Sequence, residues 1–214
     1  MSAPLTYNPN VFAVANMAQA KAIILTDEDG VDSNTRWQAE TPYLADLIAK
    51  EIAPQPGQLI IDYGSGIGRL AKEMIARFDC FVLGVDISAN MRSLAAAYVD
   101  SDKFTVCAPA MLDDLAARGL RADAAISVWV LQHCFDPDTD IDRLRNALIH
   151  TARLLVVNNR ARAVPTVEKS WVHDGIDIRE KLEARFKPLS HGLLDPAHVT
   201  QTVTDFSFVA TYQR

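Results

Sequence analysis

The 214-residue sequence is short of cysteine, has no surplus of positive charge and contains no long apolar run. Its three cysteines, Cys80, Cys107 and Cys134, form no CxxC pair and no cluster with histidine. That pattern speaks against a zinc site, so no metal is expected. It reads as reduced, mostly buried thiols in a cytoplasmic protein. Lysine and arginine number 21 against 27 aspartates and glutamates, a formal net charge of -6. Broad binding of nucleic acid by phosphate neutralisation needs a basic face, and the totals argue against one. No apolar stretch approaches the roughly 20 residues of a membrane span. Residues Met1 to Asn10 lack the basic and apolar regions of a signal peptide.

What is present suits one soluble globular domain. Apolar residues make up 49% and charged residues 22%, ordinary proportions for a single packed core. The length allows one sizeable core, and no linker, repeat or low-complexity segment divides the chain. Val11 to Leu25 carries apolar residues at helical spacing, and the acidic stretch Thr26 to Asn34 reads as a loop. Thr41-Pro42 looks like a helix start, with Thr41 as N-cap and Pro42 at the first helical position. That helix turns Leu44, Leu47, Ile48 and Ile52 inward and ends before Pro54.

From Gln58 onward short apolar runs alternate with helical patterns. The runs are Leu59–Ile61, Phe81–Val85, Phe104–Cys107, Ala124–Trp129 and Leu154–Val157. Helices are expected over 69–77, 89–99 and 141–150. Runs buried on both faces belong to parallel strands, and the alternation implies βαβ units. Near the end, a helix over 178–186 leads to Lys187–Ser190, and Phe206–Tyr212 alternates as a strand. Two late strands without a full helix between them predict an antiparallel addition to the sheet.

The chemistry concentrates between the first strand and its helix. Residues 62 to 68 read Asp-x-Gly-x-Gly-x-Gly. Glycines there let the backbone turn sharply and approach a ligand closely, and the helix N-terminus suits a polar or anionic group. Asp86 ends the next strand, where a carboxylate can accept both hydroxyls of a ribose. Together they point to a nucleoside-containing ligand. A dinucleotide fingerprint, G-x-G-x-x-G, would need glycine where Arg69 stands. Asp62 would oppose a pyrophosphate yet accept from an ammonium.

These segments resemble a known family. Ile60-Ile61-Asp62-Tyr63-Gly64-Ser65-Gly66-Ile67-Gly68-Arg69-Leu70 is similar to the first motif of class I S-adenosylmethionine-dependent methyltransferases. Gly84-Val85-Asp86-Ile87-Ser88, with Asn90-Met91, resembles their second-strand segment, and Asp123 to His133 their fourth-strand motif. The resemblance covers roughly residues 57 to 160. It implies an α/β fold: a Rossmann-like, mostly parallel seven-stranded sheet with helices on both faces, the last strand antiparallel, and an N-terminal helical segment. It implies S-adenosylmethionine as cofactor. Gly64, Ser65, Gly66 and Gly68 match the cofactor loop, Asp62 the acid near the methionine ammonium, Asp86 the ribose acid, and Ile87 the residue against the adenine. Many relatives place an acid after the third strand to hold the adenine amine. Here Cys107-Ala108-Pro109-Ala110-Met111 has none, which leaves Ala110 and Met111 to cover the ring. Val128 and Trp129, at the end of the fourth strand, are expected beside the methionine or the substrate.

Methyl transfer from a sulfonium releases a neutral thioether, so it needs alignment and exclusion of water more than a dedicated catalytic motif. A base is required only where the acceptor must lose a proton. His133 is the candidate base; a structural histidine that orients its loop is the plainer reading. The chain is expected to be one methyltransferase domain over 1–214: an N-terminal helical lid (1–56), a cofactor-binding core (57–160) and a substrate-side part (161–214). In the lid, Arg36 would pair with the methionine carboxylate and Trp37 would flank the sulfonium; a fixed surface helix is the alternative. Arg160 and Arg162 read first as surface charge. Trp171, His173 and Asp174 lie where relatives often build substrate pockets. No Asn-Pro-Pro-aromatic motif follows the fourth strand, which points away from DNA base methylation. The expected activity is methyl transfer to a small-molecule acceptor. Competing readings are an NAD(P)-dependent oxidoreductase and a non-catalytic cofactor-binding protein of the same fold. The sequence is compatible with a homodimer.

Overall fold

The structure, a computed structural model, describes residues 5–214. Met1 to Pro4, part of the stretch read for a signal peptide, lie outside the described residues. The N-terminal helix is shorter than its apolar spacing predicts. Pro9–Phe12 forms a separate 3-10 turn, and Asn16 caps a new helix, α1 (Met17–Ile24), by accepting from the Gln19 amide at 3.0 Å. Periodicity alone does not register such a break.

The second helix, α2 (Ser33–Glu51), begins well before Thr41-Pro42, which corrects the expected start. Asp32 is the cap: its carboxylate accepts from the Asn34 and Thr35 amides at 2.9 and 3.0 Å. Thr41 instead donates its hydroxyl to the Trp37 carbonyl at 2.5 Å. Pro42 sits inside the helix on its exposed face, where water can satisfy the carbonyl that proline leaves without a donor. Leu44, Ile48 and Ile52 are buried as expected.

Then the alternation begins: β1 (Leu59–Tyr63), α3 (Arg69–Phe78), β2 (Phe81–Val85), α4 (Ala89–Val99), β3 (Phe104–Cys107), α5 (Pro109–Ala117), β4 (Ala122–Val128), α6 (Pro137–Asn146) and β5 (Leu148–Asn159). After β5 the short strands β6 (Val164–Pro165) and β7 (Trp171–Val172) make a separate hairpin. The chain closes with α7 (Ile178–Glu183), β8 (Lys187–Gly192), α8 (Gln201–Phe206) and β9 (Ser207–Gln213). The main sheet has seven strands in the order β3-β2-β1-β4-β5-β9-β8. The first five are parallel, and β9 runs antiparallel to both β5 and β8. The fold class is the one expected. The helix expected to reach His150 stops at Asn146, because the Ala147 carbonyl is taken by the Ala122 amide at 2.7 Å and β5 begins there.

Both faces of the sheet are covered. Ile61, Leu83, Leu154 and Val156 belong to one core with residues of α5, α6 and α7, while Ile60, Val82, Ile126 and Leu155 belong to another with residues of α2 and α3. Strand order reverses around β1, which lies between β2 and β4. In an open α/β sheet a ligand crevice forms at that point, beyond the carboxyl ends of the strands.

Candidate active site

A cavity of about 870 Å³ occupies that crevice. Its size lies in the upper range for pockets that hold small ligands. Gly64 and Gly66, in the turn after β1, line it. Gly64 has φ +79°, and a Cβ there would overlap the Val130 side chain. Gly66 has φ +55°, and a Cβ would stand 2.8 Å from Ile24 Cδ1 of α1. Both positions require glycine, one for the approach of the two strand-end loops and one for the helix above. The Gly64 and Ser65 amides are fastened to the Val85 carbonyl at 2.7 and 3.1 Å.

Asp86 lines the cavity at the end of β2. One carboxylate oxygen accepts from the Gly66 amide and the other from the Ser88 amide, each at 2.8 Å. The carboxylate is thus aimed by the backbone of both loops and keeps a further lone pair on each oxygen. Ile87, Ser65, Ala110, Val128 and Trp129 also line the cavity.

The charged wall is more unusual. Asp62 and Arg69, 3% and 4% exposed, both line the cavity. Asp62 Oδ2 and Arg69 Nη1 are buried without any hydrogen-bond partner. Behind them Arg36 Nε holds Glu40 at 2.7 Å, and Glu40 Oε2 is also unpartnered. Burial raises Asp62 to about 7 against the opposing pull of Arg69, and burial lowers Arg69 to about 10. Unpaired buried charges are costly. A ligand carrying both an ammonium and a carboxylate would satisfy them, and the glycine turn and Asp86 would take its nucleoside. The residues present therefore fit an amino-acid nucleoside cofactor. Arg69 was not singled out in the sequence, although its place beside Gly68 in the first turn of α3 is the signal that could have marked it.

His133 also lines the cavity. Its Nδ1 lies 2.7 Å from the Ala163 carbonyl. A carbonyl only accepts, so Nδ1 carries the hydrogen and Nε2 is the acceptor, met by the Gln132 side-chain amide at 3.3 Å. Burial is the largest cause of a lowered pKa, with the Arg162 charge acting the same way. The ring is neutral at pH 7, with its basic nitrogen available.

The chain is similar in sequence and fold to known proteins. The family described as a methyltransferase domain matches residues 61–156. The cyclopropane-fatty-acyl-phospholipid synthase of Escherichia coli is 29% identical over 87 residues, 41% of this chain and 22% of that protein. The ubiquinone biosynthesis O-methyltransferase of Cereibacter sphaeroides is 28% identical over 142 residues, 61% of this chain and 57% of that protein. Among solved structures, geranyl diphosphate C-methyltransferase from Streptomyces coelicolor superposes with a TM-score of 0.61 at 16% identity, over 81% of this chain and 76% of that one. The cyclase SpnF superposes at 0.62 with 17% identity, over 80% of each chain.

Residues 61–156 thus match a methyltransferase domain, and the chain shares the fold of these class I S-adenosylmethionine-dependent methyltransferase structures. It spans less than two thirds of the length of the two curated relatives named.

Within this methyltransferase fold several expected positions move. Trp37 does not line the cavity. It packs beside Val14, Ala20, Ile67 and Met91, with Tyr98 edge-on at 6.1 Å. Successive helical residues point about 100° apart, so only Arg36 of the pair faces inward. Arg36 lines the cavity but is engaged by Glu40, by the Thr26 carbonyl at 2.7 Å and by Glu28 at 3.4 Å. Gly68 faces Val99 and Phe104, in the packing of α3 against its neighbours. Met111 is half exposed and outside the cavity, because α5 starts at Pro109 and turns its first two residues, Pro109 and Ala110, toward it. Arg162 is fully buried rather than surface charge: it donates to the Cys134 carbonyl and pairs with Asp174 at 3.3 Å. Trp129 takes φ +56°, its amide bound to the Val157 carbonyl and its indole donating to Ser207 Oγ at 3.2 Å.

The acidic loop is hydrogen-bonded to the residues around α8. Glu28 accepts from Thr200 Oγ1 at 2.6 Å, and Asp29 accepts from the Thr202 amide and hydroxyl at 2.8 and 2.7 Å. Among the described residues no group of three or more His, Cys, Asp or Glu is arranged for a metal ion, and no helix is long and apolar enough to cross a membrane.

Proposed function

We propose that this chain is an enzyme that transfers a methyl group from S-adenosylmethionine to a small-molecule acceptor in the cytoplasm. The observation that carries the reading is the pair of opposite, unpartnered charges on one cavity wall, Asp62 Oδ2 and Arg69 Nη1. In this reading they receive the ammonium and carboxylate of the methionine portion, and Asp86 receives the ribose hydroxyls. The carboxylate role foreseen for Arg36 passes to Arg69, because Arg36 is already paired. Ile87 and Ala110 border the adenine. When bound, the cofactor supplies an electrophilic methyl group on a leaving group that departs neutral. The chain's own work is alignment, exclusion of water by α1 above the glycine turn, and a place for an acceptor proton at His133 Nε2. The described part of residues 1–56 acts as a cover whose acidic loop is tied to the residues around α8, so hydrogen exchange around Arg36 should be slow with or without ligand. Protection there that appears only with ligand would restore a hinged lid.

Calorimetric titration with S-adenosylmethionine, S-adenosylhomocysteine and NAD tests the reading. The two sulfur nucleosides should bind in preference to NAD, whose pyrophosphate would meet buried Asp62. Tight NAD binding without response to the others would replace the methyltransferase by the oxidoreductase alternative. The same titrations carry a pH signature. Asp62 ionises near about 7 in the free protein, and an ammonium needs it ionised. Affinity for S-adenosylhomocysteine should therefore fall as the pH drops below about 7, and binding at about pH 6 should release a proton. Asp62→Asn should weaken binding and remove that proton release; unchanged release would place the titration on another group.

A further inference from the structure

Part of the cavity lining is built of rings. Tyr7 and Phe12 come from the N-terminal strap, His133 and Phe135 from the loop after β4, and Trp171 from β7; all line the cavity. Phe12, His133 and Trp171 form a triangle with ring centroids 5.8, 6.3 and 5.3 Å apart, and Tyr7 meets Phe135 at 5.5 Å. The strap is held in place by main-chain bonds to the hairpin. The Asn8 amide donates to the Pro165 carbonyl at 3.0 Å and the Val167 amide to the Thr6 carbonyl at 2.9 Å. The Thr6 amide also donates to the Glu168 carboxylate at 2.8 Å.

We propose that this aromatic part is the acceptor subsite, and that it takes a flat, uncharged molecule bearing a weakly acidic hydroxyl, which is methylated on oxygen. The inference rests on the methyltransferase reading above. The rings supply a broad apolar surface suited to a planar partner. Rings can also hold a cation, but the charges around them disfavour one. Asp140 is neutralised by Arg143 at 2.6 Å and accepts from the Tyr63 hydroxyl. Asp136 is exposed and caps α6, accepting from the Thr139 amide and hydroxyl at 3.2 and 2.7 Å. Burial raises the Tyr7 phenol, so it stays neutral. Arg162 lies buried in the same region, bound to the carbonyl of Cys134, the residue after His133; its Nε and Nη1 have no partner. Asp174 shares its charge at 3.3 Å, but the two unpartnered guanidinium N–H groups can only donate, which favours an oxygen gaining negative charge over a cation.

His133 completes the site. Its Nδ1–H is fixed on Ala163, which leaves Nε2 as the acceptor once the long Gln132 contact is displaced. In the transfer, an oxygen lone pair forms the O–C bond to the methyl carbon. The C–S pair stays with sulfur, and the hydroxyl proton ends on His133 Nε2.

Calorimetry on the full chain saturated with S-adenosylhomocysteine tests this with two probes, 2-naphthol and benzyltrimethylammonium. 2-Naphthol should bind more tightly. Phe12→Leu and Trp171→Leu should each weaken it about tenfold without altering the affinity for S-adenosylhomocysteine. Bound 2-naphthol should show naphtholate emission at lower pH than free 2-naphthol, and His133→Gln should remove that shift while 2-naphthol still binds. If 2-naphthol fails to bind, binds more weakly than the ammonium probe, or ignores both ring substitutions while S-adenosylhomocysteine binds normally, the subsite assignment is wrong and the cofactor reading survives. An unchanged emission shift in His133→Gln overturns the proton role. Failure of S-adenosylhomocysteine itself to bind removes the cofactor reading, and this inference with it.

Discussion

Gly66→Val should weaken the affinity for S-adenosylhomocysteine by at least about a hundredfold while the sheet stays folded, since a β-branched side chain disfavours the backbone the loop needs. Gly66 has φ +55°, and a Cβ there stands 2.8 Å from Ile24 Cδ1. Holding valine in that conformation costs about 1–3 kcal/mol. The Ile24 side chain can yield, so most of the damage falls on the loop. Its Gly66 amide is one of two that orient Asp86, and a rotated peptide would release that carboxylate. Gly66→Ala should give a smaller loss in the same direction. The measurements are calorimetric affinity and thermal unfolding of the free protein. A folded valine variant with unaltered affinity would falsify the close-approach role of this turn.

The second large effect is expected at Asp86. Asp86→Ala should weaken cofactor binding by about 2–3 kcal/mol, roughly a hundredfold, because two ribose hydroxyls lose a charged acceptor. Free-protein stability should fall as well, since the same carboxylate accepts from the Gly66 and Ser88 amides. Those donors are left without their partner in the alanine variant, at a cost of about 1–2 kcal/mol. Asp86→Asn keeps an acceptor for one of them and should recover part of the stability but little of the affinity. Thermal unfolding separates the two contributions. Affinity equal to wild type in Asp86→Ala would end the ribose assignment.

The strands and the glycine turn were legible for a local reason. Central parallel strands are buried on both faces, so they read as uninterrupted apolar runs such as Leu59–Ile61 and Leu154–Val157. The turn after β1 demands positive φ, which glycine alone adopts freely. Helix boundaries were less legible, because several residues offer the same local signal. Thr41-Pro42 is a good start on paper, yet Asp32 caps the helix, and Pro42 is tolerated because its face is exposed. Arg36 and Trp37, neighbours in sequence, were assigned to one site, but the helix turns them to different sides.

Chain-local pattern determined the fold class and marked the proposed cofactor loop from Asp62 to Gly66 and the acid at Asp86, because each depends on spacing within one βαβ unit. Tertiary structure alone decided the rest of the site. Arg69 matters through the unpartnered Asp62 beside it, and Arg162 is charged yet buried because Asp174 and the Cys134 carbonyl meet it from other segments. The rings of Tyr7, Phe12, His133, Phe135 and Trp171 come together only when the N-terminal strap pairs with the β6–β7 hairpin. No spacing rule encodes such contacts, since their energy comes from groups far apart in the chain that are desolvated together on folding.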